Sequence, residues 1–141
     1  MSRLPMSRRM ITIYAATAVV MLVLDALWLG LIATGWYRDA LGPLMADPPR
    51  WGAALLFYAL YPAGLVTWAV WPQRHTPGLR SAALQGALLG LFAYGTYDLT
   101  NLAVLRGWPL PLSVLDMAWG ATVSALSAAA GKAWADRQPK A

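Results

Sequence analysis

Cysteine is absent from the 141 residues, and histidine occurs once, as His75. Without cysteine the chain can form no disulfide, thiolate nucleophile, iron–sulfur cluster or cysteine-ligated zinc site. A single histidine, set in a loop rich in proline and arginine, also excludes paired-histidine haem ligation within one chain and multi-histidine iron sites. Any metal would need oxygen ligands, and we predict no metal site and no cofactor.

Charged residues are scarce, at 12% of the chain against 59% hydrophobic residues. This balance is too apolar for an ordinary soluble domain, so a lipid bilayer is the natural solvent. The net charge of +5 could indicate a nucleic-acid partner, but the basic residues lie at the termini and between apolar runs. Because they form no basic face interleaved with aromatics, we predict no nucleic-acid binding and attribute the charge to membrane topology.

Long apolar runs are abundant, by contrast, at about 10–34, 51–71, 81–105 and 110–134. Each can cover the ~30 Å hydrocarbon core as a helix of about 20 residues. A transmembrane β-barrel would show alternating segments of about 10 residues instead. The sequence therefore predicts one all-α transmembrane domain, a four-transmembrane-helix bundle with short polar termini.

The first apolar run follows basic residues, as in a signal peptide, but exceeds the ~7–15 residues typical of the apolar part of one. We predict that it is a retained helix. The segment 35–50 carries turn signals at Gly42-Pro43 and Pro48-Pro49, and its Trp36 and Tyr37 are typical interfacial anchors. We expect this segment to be a loop on the membrane surface.

Lysine and arginine are distributed unevenly between the two sides of these runs. The termini and the second loop hold eight of them, whereas the first and third loops hold three. Because cytoplasmic segments carry the excess, both termini are predicted to be cytoplasmic.

All six acidic residues are aspartates, and three of them fall inside predicted spans: Asp25, Asp98 and Asp116. A charged carboxylate near the bilayer centre costs at least ~2.5–3.5 kcal/mol, so such residues usually face the bundle interior or a wet cavity. Counted at 1.5 Å per residue from the helix ends, all three lie roughly 9–15 Å below the outer surface. They could form one anionic site for a cation or proton, although hydropathy does not fix helix rotation.

Each of these aspartates has a polar neighbour at i+3: Trp28 in LDALWLG, Asn101 in YDLTN and Trp119 in LDMAWG. That spacing puts both side chains on one helix face, so each helix offers an acceptor with a nearby indole or amide donor. The two D-x-x-W segments are also a weak sign of an inverted repeat. The predicted ligand-binding residues are Asp25, Trp28, Tyr94, Asp98, Asn101, Asp116 and Trp119, with Tyr58 and Tyr61 as further hydroxyl donors.

The alternative interpretation of the aspartates is structural, with carboxyl groups bonding neighbouring helices together. Measured contacts of this kind average only ~0.6 kcal/mol, which poorly offsets the cost of inserting three acids. The GxxxG pattern Gly86–Gly90 and the small residues of 120–131 predict close helix packing.

The segments LDALWLGL, AALLFYALYPAGL, GALLGLFAYGTYDLTNLAVLRGWPL and LDMAWG together resemble the bacterial membrane proteins of domain-of-unknown-function family 2177. The likeness runs through all four apolar runs. It implies a four-helix protein of the bacterial inner membrane and brings no activity with it.

Three hypotheses remain open. The first is that the outward-facing aspartates bind a proton or a small polar, cationic or amphipathic ligand. Transport of this ligand is an extension of the same hypothesis and would require a homodimer. The second is a membrane-embedded enzyme acting on lipid or isoprenoid, although the sequence contains no D-D-x-x-D-like cluster or nucleophile motif and suggests no catalytic residue. The third is an accessory subunit whose aspartates only hold helices together.

Overall fold

The protein is described by a computed structural model that covers residues 5–139. All regular elements in this range are helical: α1 (Met6–Leu27), α2 (Thr34–Leu41), α3 (Trp51–Leu65), α4 (Arg80–Val104) and α5 (Leu110–Arg137). A π-helical turn at Trp28–Ile32 extends α1, and another at Val66–Val70 extends α3. The all-α prediction is confirmed. Arg3 and Lys140, which contributed to the predicted orientation, lie outside the described residues.

Three segments of the described chain are long and apolar enough to cross a membrane: Met6–Ile32, Trp51–Gln73 and Leu110–Arg137. Helix α4 has 25 residues, or about 37 Å of helix, but it is less apolar because it contains several polar and glycine residues. Length and composition thus support three spans directly, whereas the sequence predicted four.

Helix α5 lies at the centre of an antiparallel bundle. Its neighbour α1 runs the opposite way, since Arg9 contacts Ala135 at one end of the pair and Asp25 contacts Trp119 towards the other. Helix α3 packs on α1 through Tyr14, whose hydroxyl donates to the Ala59 carbonyl at 2.7 Å. We call the end of the bundle that carries α2 the α2 end, and the opposite end, where α1 begins and α5 finishes, the terminal end.

Helices α4 and α5 approach closely because small residues line their contact. A Cβ atom added at Gly86 would lie 2.6 Å from the Ser124 carbonyl oxygen, and one at Gly90 would meet the Ser124 side chain at 2.5 Å. The turn between the two helices passes through Gly107, whose φ of 76° favours glycine. The predicted close packing around the GxxxG pattern is therefore present between these two helices.

The interior of the bundle contains both polar and apolar side chains, whereas much of its exterior is apolar. Threonine, serine, aspartate and lysine side chains are buried, among them Thr17, Asp98, Ser124 and Lys132. Large apolar side chains such as Leu31, Leu55 and Phe92 are exposed instead. An exterior that carries this many large apolar side chains is the one expected in a lipid solvent.

The prediction of a loop at 35–50 is wrong for its first part, because Thr34–Leu41 is the helix α2. No proline or glycine interrupts residues 36–41, and the helix ends at Gly42, whose φ is 49°. The turn signals Gly42-Pro43 therefore mark where the helix stops. This helix carries Tyr37 to the polar interior.

Candidate functional site

Asp25 of α1 is the acceptor for two donors from other helices. The Tyr58 hydroxyl of α3 donates to Oδ2, and the Trp119 indole N–H of α5 donates to Oδ1, both at 2.8 Å. The carboxyl group is buried, so these bonds replace the water it would have at a surface. One side chain thus joins three helices.

Asp116 of α5 accepts a hydrogen bond from the Tyr37 hydroxyl of α2 at 2.5 Å. The same hydroxyl oxygen accepts the Trp28 indole N–H of α1 at 3.3 Å. Burial and the hydrogen bond to Asp116 raise the pKa of the Tyr37 phenol. Tyr37 therefore stays protonated in the physiological range and remains able to donate to Asp116.

The two D-x-x-W segments pair with each other across the antiparallel α1 and α5. Trp119 donates to Asp25 directly, whereas Trp28 reaches Asp116 through the Tyr37 hydroxyl. The two indole rings stack, with centroids 4.5 Å apart and an interplanar angle of 6°. The i+3 spacing put each of these aspartates and an indole on one helix face, but the indole donors are used between helices. The stacked rings direct their N–H groups towards Tyr37 and Asp25 on other helices.

Asp98 of α4 is the most buried of the three aspartates in the predicted spans, with 1% of its surface exposed. Its Oδ2 atom is buried and has no hydrogen-bond partner among residues 5–139. Its carboxyl group is close enough to that of Asp116 for the two groups to interact. Since a carboxylate cannot donate, a hydrogen bond between these two groups requires a proton on one of them.

The remaining predicted site residues lie near the aspartates without bonding to them. Tyr94 packs its ring directly against Gly120 and meets the Tyr61 ring edge to face at 6.2 Å. The Tyr61 hydroxyl pairs with the Ser124 hydroxyl at 2.7 Å. Asn101 is half-buried. It is not among the donors to Asp25 and Asp116, which accept their hydrogen bonds from tyrosine and tryptophan side chains. Tyr58, which the sequence suggested as a further hydroxyl donor, bonds Asp25.

Tyr37 is the site residue that the sequence reasoning assigned elsewhere, as an interfacial anchor in a loop. Its hydroxyl instead bonds Asp116, which is distant in sequence. The uninterrupted WYRDAL segment before Gly42-Pro43 was the available signal that this stretch is helical. Within residues 5–139, no group of three or more His, Cys, Asp or Glu side chains is arranged to hold a metal ion.

A helical bundle with an apolar exterior and helices long and apolar enough to span a membrane is an integral membrane protein. The chain belongs to the family described as predicted membrane protein DUF2177, which it matches over residues 10–133. The resemblance found in the sequence is thereby confirmed at the level of the family. No curated protein and no solved structure matches the chain significantly.

Proposed function

We propose that the protein spans the bacterial inner membrane four times, with both termini in the cytoplasm. The support for α4 as a fourth span is its 25-residue length and its close packing along α5 after a short turn. A buried carboxyl group on α4, at Asp98, would face the bundle rather than lipid in this arrangement. The excess of basic residues at the termini and second loop supports the orientation.

The function proposed is reversible binding of a proton or a small cationic group at the intramembrane aspartates. The observation that carries it is the buried Asp98 Oδ2 atom, which has no hydrogen-bond partner among residues 5–139. A buried acceptor left unpaired costs free energy unless something occupies it. A proton shared with Asp116, or a cationic group, removes that cost.

Asp25 has a different part in this site. Each of its oxygens already accepts one hydrogen bond, from Tyr58 or from Trp119, so its charge is held by neutral donors. The Trp28–Trp119 stack lies between it and the Tyr37–Asp116 pair. Asp25 therefore orients the stacked Trp119 ring and the Tyr58 hydroxyl. Asp98 and Asp116 form the anionic centre of the site.

Helix α2 supplies the route by which a ligand would enter from outside. It is short, and its Tyr37 is the group that bonds Asp116. Movement of this one helix would break the two hydrogen bonds of the Tyr37 hydroxyl, with Asp116 and Trp28, and would expose the two carboxyl groups. Binding of a polar or amphipathic amine, and transport in a homodimer, are extensions of the same proposal, because four helices alone make a thin-walled path.

The test is labelling of the detergent-purified protein with dicyclohexylcarbodiimide. This apolar reagent reacts with a protonated carboxyl group: the proton moves to one nitrogen, and a carboxyl oxygen bonds the central carbon to give an O-acylisourea. The acyl group then migrates from that oxygen to nitrogen, which leaves a stable N-acylurea. We expect one label per chain on Asp98 or Asp116, located by mass spectrometry of the digested protein. Labelling should decrease when the pH is raised or when Na⁺ or an alkylammonium ion occupies the site.

Asp39→Asn is the matched control, because Asp39 is an exposed aspartate on α2. It should label like the wild type, whereas Asp98→Asn should lose the label and remain folded. Unchanged labelling of a folded Asp98→Asn variant would contradict the proposal. Loss of assembly in both Asp98→Asn and Asp116→Asn would instead support a packing role for these aspartates and also overturn it.

A further inference from the structure

A groove of about 550 Å³ runs between α1 and α5 near the terminal end of the bundle. It is separate from the aspartate site, since its walls come from the middle of α1 and the last turns of α5. Most of its lining is small or apolar: Ala15, Ala16, Val19, Ala130, Ala133 and Trp134. A groove with this lining accepts a flexible hydrocarbon chain more readily than a polar solute.

Basic side chains stand where the groove reaches the terminal end. Arg137 lines it directly, three residues beyond Trp134 on α5. Arg8 precedes the groove residue Thr12 by four positions on α1, which places both on one helix face. Both arginines are exposed, and no acidic side chain of the described chain lines the groove.

Other cations at this end are already engaged inside the bundle. Arg9 is 5% exposed and its guanidinium approaches the Ala135 carbonyl at 3.4 Å. Lys132 is 1% exposed and forms an ion pair with Asp136 at 2.7 Å. Because Asp136 is held by Lys132, its charge does not cancel that of Arg8 and Arg137.

We propose that this groove binds an anionic phospholipid, with an acyl chain between α1 and α5 and the phosphate between Arg8 and Arg137. From Thr12 to Val20 the α1 wall is about 12 Å long, enough for a substantial part of an acyl chain. Trp134 lies beside the arginines, where an amphipathic indole sits at the headgroup level. Basic residues at such a position favour anionic over zwitterionic lipid.

A second copy of the chain is the competing occupant, because small residues also favour helix–helix contacts. A symmetric dimer across this groove would bring the Arg8 and Arg137 side chains of both copies together. Four guanidinium groups would then meet with no acidic partner from the groove lining, which is unfavourable. The charge pattern therefore favours an anionic lipid.

The test is native mass spectrometry of the delipidated full-length protein, titrated with phosphatidylglycerol or with phosphatidylcholine of the same acyl chains. We expect the first phosphatidylglycerol molecule to bind more tightly than phosphatidylcholine. Arg8→Gln and Arg137→Gln should each weaken phosphatidylglycerol binding by about fivefold and leave phosphatidylcholine binding unchanged. Ala133→Leu, which fills the groove, should weaken both lipids.

Arg38→Gln is the control, since Arg38 is an exposed arginine on α2, at the other end of the bundle. It should bind both lipids like the wild type. Equal affinity for the two lipids, or arginine variants that bind phosphatidylglycerol normally, would overturn the inference. If the protein instead forms a dimer that the Ala133→Leu substitution dissociates, and shows no lipid preference, the groove is the contact with a second copy.

Discussion

The indole rings of Trp28 and Trp119 stack face to face, with centroids 4.5 Å apart. Each tryptophan comes from a D-x-x-W segment, and the two segments lie on antiparallel helices. The stack links the hydrogen bonds of Asp25 to those of Asp116 through side chains of α1, α2 and α5. Asp25, Asp116 and their aromatic donors therefore form one connected network, whose members can be tested separately.

Trp119→Phe should preserve most of the stacking but remove the N–H donor to Asp25. We expect a loss of about 1–2 kcal/mol in unfolding free energy, because a buried acceptor loses one of its two partners. Denaturant titration of the protein in micelles measures it. Trp68→Phe, at a tryptophan that is 66% exposed, should change stability little. Equal effects of the two substitutions would show that the indole bond to Asp25 contributes nothing.

Asp25→Leu should destabilise the bundle by about 2–3 kcal/mol, since it leaves the Tyr58 hydroxyl and the Trp119 N–H without their acceptor. Asp25→Asn should recover most of this loss. The asparagine oxygen can accept from Trp119, while its amide donates to the Tyr58 oxygen, because a hydroxyl both donates and accepts. Thermal unfolding of the two variants compares them. Asparagine behaving as badly as leucine would mean that the charge of Asp25, rather than its hydrogen bonds, matters.

The hydrogen bonding of Tyr37 leads us to expect a loss of stability at alkaline pH. Burial and the bond to Asp116 raise its pKa, so the folded protein retains this proton at pH values where the unfolded chain releases it. The stabilisation is complete below the ordinary tyrosine value near 10 and is lost as the pH rises through the folded value. The melting temperature should therefore decrease less between pH 8 and about 10.5 in Tyr37→Phe than in the wild type. The same decrease in both proteins would contradict this assignment, since the other tyrosines are common to them.

Gly120→Ala should destabilise the protein by about 1–3 kcal/mol, because the added methyl group overlaps the Tyr94 ring. Gly52→Ala is the matched control, as no described atom lies within 4 Å of its added Cβ. The control should be neutral or slightly stabilising in helix α3. Combining Gly120→Ala with Tyr94→Ala should cost less than the sum of the single changes. Strict additivity in unfolding free energy would show that the two residues do not compete for space.

Asp136→Asn should cost about 1–3 kcal/mol by leaving the buried Lys132 ammonium without its carboxylate. The cost is below that of a fully buried pair because the Asp136 side chain is 38% exposed. Adding Lys132→Met should restore stability, since the unpaired charge is then removed. A double-mutant cycle on the purified protein measures the coupling. A cycle without coupling would mean that solvent already screens the ion pair.

The sequence alone determined that this is a helical membrane protein, because apolar runs of more than 20 residues can satisfy their backbone groups in lipid only as helices. It also predicted that Asp25, Asp98 and Asp116 face the bundle interior, since a carboxyl group that faces lipid is costly. Which donor meets which acceptor depended on tertiary structure. Helix rotation and the path of the chain after α1 decide that Trp119 bonds Asp25 and that Tyr37 bonds Asp116. They also decide that Asp98 Oδ2 has no hydrogen-bond partner in the described part of the chain. These relations join residues on different helices, where neither spacing nor hydropathy constrains the contact.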